Sequence, residues 1–132
     1  MSGSGGISRL GGDPPSPWED EFGFARVVRA GGFVLVGGTT SVDVDGVVLG
    51  ETPYEQAVEI LGKLEHELSR AGASLSDVVQ TRVYVVDIAR TGEVGRAHAE
   101  AFGETRPVMT MVEVSALIDP RMLVEIEAVA VV

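Results

Sequence analysis

The segment MLVEIEAVAVV (122–132) constrains the fold of this chain more than any other. Apolar residues alternate along it with the two-residue period of a β-strand. One face of this strand consists of Val124, Ile126, Ala128 and Ala130. The opposite face is half apolar and consists of Glu125, Glu127, Val129 and Val131. A strand with apolar residues on both faces predicts a sheet that is at least partly covered on both sides.

Two other segments alternate in the same way and predict strands at 78–86 and 107–115. On the first of them, the face predicted to meet the helices consists of Val79, Thr81, Val83 and Val85. We place further apolar residues on the second, helix-free face of the sheet: Tyr84, Met109, Met111, Val129 and Val131. A half-apolar face of this size is too large to remain in water, so we expect other subunits to bury it.

Two helices are predicted between these strands. The first begins with Thr52 as N-cap, Pro53 at the first helical position and Glu55 in a capping box, and it ends at Gly72. Its apolar stripe consists of Tyr54, Ala57, Val58, Leu61, Leu64 and Leu68. Lys63 and His66 fall off this stripe, so we expect both to be exposed. The second helix ends at Gly103, and its stripe consists of Val94, Ala97, His98, Ala101 and Phe102, with His98 interpreted as a packing residue.

The first half of the chain predicts a meander of short strands. Strands at 24–28 and 33–38 are joined by Gly31 and Gly32, and shorter ones at 40–44 and 47–49 turn at Asp45-Gly46. Gly37 and Gly38 interrupt a strand, which indicates either a β-bulge or the close approach of another backbone or a ligand. We expect residues 1–16, rich in Gly, Ser and Pro, to form a flexible tail, and residues 17–132 to form a single domain.

Composition limits the function. The chain carries 20 acidic residues against 10 Lys and Arg, a formal charge of −10, which argues against a nucleic-acid partner. It has no cysteine and two histidines, so we expect no metal site and no other cofactor. No signal peptide or apolar run of membrane-spanning length is present, so we expect a cytoplasmic protein without membrane contact.

Glu125 and Glu127 are the candidate acid–base groups, because they share a strand face with valines. A carboxylate in such surroundings must be paired, hydrogen-bonded or raised in pKa. For Glu127 a salt bridge and the activation of a water molecule are both open interpretations. For Glu125 the favoured interpretation is a salt bridge at the rim, to Arg82 or Arg26.

Three segments, in this order and spacing, resemble the RidA/YjgF family of small enamine and imine deaminases. They are SPWEDEFGFARVVRAGGFVLVGGTT, AGASLSDVVQTRVYVVDI and RPVMTMVEVSALIDPRMLVEIEAVAVV, and the resemblance covers roughly residues 17 to 132. It implies a chorismate-mutase-like α+β fold, a mixed sheet with two helices on one face. It also implies a homotrimer whose sheets form a central barrel, with ligand clefts between adjacent subunits where an imine is hydrolysed to a keto acid and ammonia.

The resemblance also implies site residues. The family's glutamate is matched to Glu127, and Thr110 follows the position of the family's substrate-binding arginine, so these two are the candidate catalytic residues. The candidate ligand-binding residues are Phe24, Arg26, Gly38, Thr39, Tyr84, Met109 and Met111. Three positions depart from the family pattern: Met109 replaces the arginine, Phe24 replaces a tyrosine, and Gly37 stands where a serine is common.

The loss of the arginine predicts an altered substrate range. A small anionic imine would need another cation, for which Arg26, Arg82 and Arg106 are candidates, and otherwise the ligand is neutral or more apolar. We expect a hydrolase of the deaminase type that acts on an imine, an enamine or a related metabolite. The alternative is a trimer that binds a metabolite without chemistry. Ribonuclease activity is disfavoured by the acidic charge.

Overall fold

The computed structural model describes residues 6–132, which form one six-stranded mixed sheet and three α-helices. The strands are β1 (Ile7–Leu10), β2 (Val27–Ala30), β3 (Phe33–Thr39), β4 (Val78–Val85), β5 (Val108–Glu113) and β6 (Val124–Val131). The helices are α1 (Pro17–Phe22), α2 (Pro53–Arg70) and α3 (Thr91–Phe102). The strand order is β1-β2-β3-β6-β4-β5, and only β4 and β5 pair in parallel, joined by the crossover through α3. This confirms the predicted α+β class.

The start of α2 is as the sequence predicts. The Thr52 hydroxyl accepts a hydrogen bond from the Glu55 amide at 3.1 Å, and the Glu55 carboxylate accepts one from the Thr52 amide at 3.2 Å. These two bonds satisfy backbone donors that a helix start otherwise leaves unpaired. After Arg70 the chain leaves the helix through Gly72, whose φ of +85° is one that glycine adopts without strain.

The core lies between α2, α3 and one face of the sheet. The α2 residues that it buries most deeply are Ala57, Ile60, Leu64 and Leu68. The sheet contributes Val34, Val36, Val83, Ile126, Ala128 and Ala130 from its central strands. The predicted stripe was wrong at Val58, which is 44% exposed, because the helix turns Ile60 toward the sheet instead.

His98 is a packing residue, as predicted. It is buried on α3, and its Nε2 lies 2.8 Å from the Thr81 hydroxyl on β4. Burial lowers the pKa of the imidazole, so the neutral ring is the form that the core favours.

Three regions differ from the sequence predictions. Residues 7–10 form an edge strand rather than part of a tail, because their backbone pairs antiparallel with β2; residues 1–5 of the predicted tail lie outside the described part. The strands predicted at 40–44 and 47–49 reduce to one bridge between Val42 and Val48. A further helix, α1, precedes β2, so that Phe24 and Arg26 lie just before the strand rather than on it.

The two methionines of β5 lie on the opposite side of the sheet from the one predicted. Met109 pairs with Thr81 and Met111 with Val83, and both partners on β4 are buried toward the helices. Paired residues on neighbouring strands share a face, so the methionines lie on the helix side. A shift in register between Val78 and Gln80 displaces Val79, which is 45% exposed instead of helix-facing.

The helix-free face still carries apolar side chains. On β3 and β6, paired neighbours are Phe33 with Val131 and Leu35 with Val129. Phe33 is 55% and Leu35 43% exposed in the single chain. No helix among residues 6–132 is long and apolar enough to cross a membrane.

We expect Leu64→Ala to lower the free energy of unfolding by about 2–5 kcal/mol, because it leaves a cavity in a fully buried site. Val58→Ala removes an apolar group from the exposed side of the same helix and is expected to change the free energy by about 0.5 kcal/mol or less. Urea denaturation of both variants measures the difference. Equal losses would show that α2 does not present Leu64 to the sheet in preference to Val58.

Candidate functional site

A cavity of about 450 Å³ lies beside the end of β3, just past the last β2–β3 pair, Val27 with Val36. Its walls come from the segment 12–26, the bulged end of β3, the loop after it, and one side of α2. The residues on which its chemistry depends are Phe24, Arg26, Gly38, Thr39, Lys63 and Glu125.

Gly38 and Glu125 form the floor of this cavity. The pairing of β3 with β6 shifts register between Val36 and Thr39, so the two glycines do form a bulge. A Cβ atom added to Gly38 would lie 2.5 Å from an oxygen of the Glu125 carboxylate. Any larger residue at this position would force the carboxylate to move. The bulge interpretation of the glycine pair is confirmed, and the close approach of a ligand stays a prediction.

The Glu125 carboxyl has the surroundings of an acid–base group. Burial raises its pKa, the nearby Glu127 adds to that rise, and the Arg26 guanidinium opposes it. Among residues 6–132, no donor lies within hydrogen-bond distance of its oxygens. A carboxyl that keeps its proton to higher pH than an ordinary glutamate, in a cavity open to a ligand, is a candidate for proton transfer.

Arg26 lies over the bulge. Its Nη1 donates to the Gly38 carbonyl and lies 3.4 Å from the Thr39 hydroxyl, and its Nε is 4.0 Å from a Glu19 carboxylate oxygen. The guanidinium also stacks on the Phe24 ring, 5.4 Å from the ring centroid. These contacts fix a cation at the floor of the cavity.

Lys63 is not on an exposed side of α2, as the stripe predicted, but half-buried at the cavity wall. Its Nζ donates to the carbonyls of Thr40 at 2.6 Å and Val42 at 2.9 Å. Burial lowers the pKa of the ammonium, and the charge of Arg26 lowers it further. The prediction fails because the chain after β3 folds back over the polar side of α2 and covers it.

The structure brings together Phe24, Arg26, Gly38 and Thr39 of the predicted ligand-binding residues. It does not bring Glu127 to this cavity. The Glu127 carboxylate instead accepts a hydrogen bond from the Tyr84 hydroxyl, on the neighbouring strand of the helix-free face. A two-residue step along β6 separates it from Glu125, and only Glu125 reaches the bulge.

The three predicted residues of β5 also lie elsewhere. Met109, Thr110 and Met111 occupy an edge strand that β4 and β6 separate from β3. In the single chain none of them lines the cavity. Met109 is 42% exposed at this edge of the sheet.

The sequence analysis did not place two of the cavity residues, Glu125 and Lys63, at a candidate site. For Glu125 it favoured a salt bridge at the rim, although the glycine pair that makes room for its carboxylate could have indicated its position in the cavity. Lys63 carried no signal, because its partners are backbone carbonyls.

Comparison with known proteins identifies the family. The family model described as Endoribonuclease L-PSP matches residues 19–132. A solved structure described as Rv2704, a member of the YjgF/YER057c/UK114 family from Mycobacterium tuberculosis, superimposes with a TM-score of 0.87. It is 46% identical and covers 96% of this chain and 100% of its own. The chain belongs to the RidA/YjgF family.

Two relatives are similar to this chain over most of its length. The uncharacterized protein SCO2049 of Streptomyces coelicolor is 41% identical over 115 residues, 87% of this chain and 86% of its own length. The 3-aminoacrylate deaminase RutC of Acinetobacter baylyi is 33% identical over 109 residues, 81% of this chain and 85% of its own length. The family therefore includes a relative named for a deaminase reaction on a small enamine.

Relative to wild type, Glu125→Gln is expected to gain stability as pH rises from the unfolded-state pKa of Glu125 to its raised folded-state pKa, and to keep a constant advantage at higher pH. Because the folded-state pKa of Glu125 is raised above its unfolded value, ionisation costs stability once the pH exceeds the unfolded value of about 4.3. The glutamine variant cannot ionise and escapes that loss. Thermal melting across this pH range measures the difference.

Glu65→Gln controls for the change in net charge, because it removes an exposed carboxylate of α2. A difference between Glu125→Gln and wild type that stays constant across the range between these two pKa values would contradict the raised pKa.

Proposed function

We propose that this RidA/YjgF protein is a homotrimeric hydrolase of the deaminase type, acting on an imine, an enamine or a related metabolite at clefts between subunits. The observation that carries the proposal is the Glu125 carboxyl, raised in pKa and placed against the bare backbone of Gly38 in a cavity next to a fixed cation. The relative named 3-aminoacrylate deaminase supports the same reaction class.

Glu125, rather than Glu127, is the acid–base group in this proposal. A protonated carboxyl can donate to the departing nitrogen of an imine adduct, and the carboxylate that remains can accept a proton from water. Imine hydrolysis needs both steps, since water adds across the C=N bond and ammonia leaves while a carbonyl forms. Glu127 holds the Tyr84 hydroxyl and supports the sheet next to this site.

Assembly into a trimer accounts for surfaces that the single chain leaves exposed. Phe33, Leu35 and Val131 on the helix-free face are each more than two-fifths exposed. Met109 at the β5 edge is similarly exposed, and in a trimer a neighbouring subunit would cover this edge. Sedimentation equilibrium at micromolar concentration is expected to give three times the 13.9 kDa chain mass. A mass of one chain would contradict the assembly.

The catalytic role of Glu125 is tested by turnover. Glu125→Gln is expected to lower imine hydrolysis about 100-fold or more, because general acid–base catalysis contributes roughly 10²- to 10⁴-fold. Glu127→Gln, two residues along the same strand face, is the matched control and is expected to retain most of the activity. Release of ammonia from imino acids generated in the assay, with a range of side chains, measures both. Equal losses in the two variants, or none in Glu125→Gln, would contradict the assignment.

Activity on 2-aminoacrylate is expected to be weak or absent, because Met109 stands in place of the family's arginine and the small carboxylate loses that cationic partner. Hydrolysis of 2-aminoacrylate at the rate of a family member that has the arginine would contradict this expectation.

A trimeric metabolite-binding protein without catalysis is the second candidate. Met109 and Phe24, in place of the family's arginine and tyrosine, favour it. A protein that binds metabolites but hydrolyses none of the imines tested would establish this candidate instead.

A further inference from the structure

Six carboxylates line the cavity, and most of them already have hydrogen-bond donors within the chain. Four accept hydrogen bonds from other residues: Glu19, Asp43, Glu67 and Asp119. Glu19, for example, accepts from the amides of Gly12 at 2.8 Å and Ser16 at 2.9 Å. These four carboxylates therefore do not take up the remaining donors of the two cations in the cavity, Arg26 and Lys63.

The two cations of the cavity have donors to spare. Arg26 and Lys63 bind neighbouring acceptors along one stretch, residues 38–42. An arginine has five N–H donors and an ammonium has three. Among residues 6–132, the Arg26 Nη2 has no hydrogen-bond partner and Lys63 uses two of its three donors. Both cations can therefore bind an added anion without giving up their present partners.

The remaining walls are apolar. The segment 12–18 covers one side with three prolines and Trp18, and Phe22 and Ile118 contribute from α1 and from the loop before β6. Phe22 is 60% and Ile118 58% exposed. About 450 Å³ lies within the size range of pockets that hold drug-sized ligands and is far more than a three-carbon acid needs.

The covering segment is fixed to α2. The amide of Asp13 donates to the Glu67 carboxylate at 3.0 Å, and Arg70 donates to the carbonyl of Gly11 at 2.7 Å. His66 also lies 3.2 Å from the Asp13 carboxylate. A wall held this way is formed before a ligand arrives, which lowers the entropic cost of binding.

We propose that the cavity binds a carboxylate with a bulky apolar substituent, such as an aromatic ring, with Arg26 and Lys63 contacting the carboxylate and Trp18 the substituent. This inference rests on the proposed function for its choice of site, and it gives the ligand class of that site. In this arrangement the carboxylate of the ligand contacts Arg26 and Lys63 near the end of β3. The Glu125 side chain then faces the ligand atoms next to that carboxylate.

Three unreactive probes test the two halves of this inference by isothermal titration calorimetry on the full chain. 3-Phenylpropanoate has both groups, propanoate lacks the ring, and 3-phenylpropanamide lacks the charge. We expect 3-phenylpropanoate to bind at least about tenfold more tightly than either of the others. Binding of the amide as tight as that of the acid would overturn the role of the cations, and equal binding of the two acids would overturn the apolar wall.

Variants assign the roles. Arg26→Gln and Lys63→Gln are each expected to weaken 3-phenylpropanoate binding, by about tenfold or more for the arginine. Trp18→Ala is expected to weaken 3-phenylpropanoate several-fold and to leave propanoate unchanged. Arg96→Gln is the control for charge, because Arg96 lies on α3 over the Tyr54 ring, away from the cavity.

Circular dichroism establishes that each variant is folded. Arg26→Gln loses the hydrogen bond to the Gly38 carbonyl and could unfold for that reason. In that case the binding of 3-phenylpropanoate to Lys63→Gln and Trp18→Ala still tests the proposal. Binding that none of these variants weakens would overturn it, as would failure of all three probes to bind at millimolar concentration. Because the probes undergo no reaction, their binding pattern is independent of turnover, and a protein that shows the pattern but hydrolyses no imine would contradict only the proposed function.

Discussion

The antiparallel pairing of β3 with β6 is the contact on which both the fold and the site depend. These strands occupy the middle of the sheet, and their buried faces carry the residues that receive α2. The same pairing contains the bulge at Gly37 and Gly38, where the added residue shifts the register by one. Without that shift the Glu125 carboxylate would meet a continuous strand rather than an open floor. A local irregularity in the ladder thus opens the floor of the cavity within a structural strand pair.

The cavity brings two cations together within an acidic chain. A formal charge of −10 repels anions at long range and six carboxylates line the cavity, but two of the 10 basic residues, Arg26 and Lys63, line it as well. Long-range repulsion is screened over roughly 8–10 Å at physiological salt, whereas contacts within a partly buried site are screened much less. The acidic surface therefore affects how fast an anion arrives more than how firmly it is held.

The sequence predicted those features that depend on local periodicity and capping. The capping box of Thr52 and Glu55, the two faces of β6 and the packing of His98 all follow from side-chain spacing that tertiary contacts leave unchanged. Predictions failed where an irregularity interrupts the alternation of side chains along a strand. In β4 a register shift buries Val78 and leaves Val79 exposed. The predicted face of Met109 and Met111 was wrong for a related reason. Alternation divides a strand into two faces but does not say which face meets the helices.

Site residues were harder to predict than the fold, because the site depends on contacts between distant segments. Arg26 binds a backbone carbonyl on β3, and Lys63 binds carbonyls that follow it; neither contact involves a side-chain pattern that could be recognised in the sequence. The choice between Glu125 and Glu127 depends on which of them lies opposite the glycine bulge. That requires the register of β3 on β6, which a single sequence leaves open.

The segment before α1 is held against α2 by hydrogen bonds, and this attachment affects how the scaffold can diverge. The segment forms one wall of the cavity but contributes little to the core, whose residues lie almost entirely on the later strands and helices. Substitutions at Pro14, Pro15 or Trp18 can therefore reshape the cavity without disturbing the packing on which folding depends. The apolar wall of the cavity and the core are carried by separate parts of the chain, so one can be altered, in nature or by design, while the other is kept.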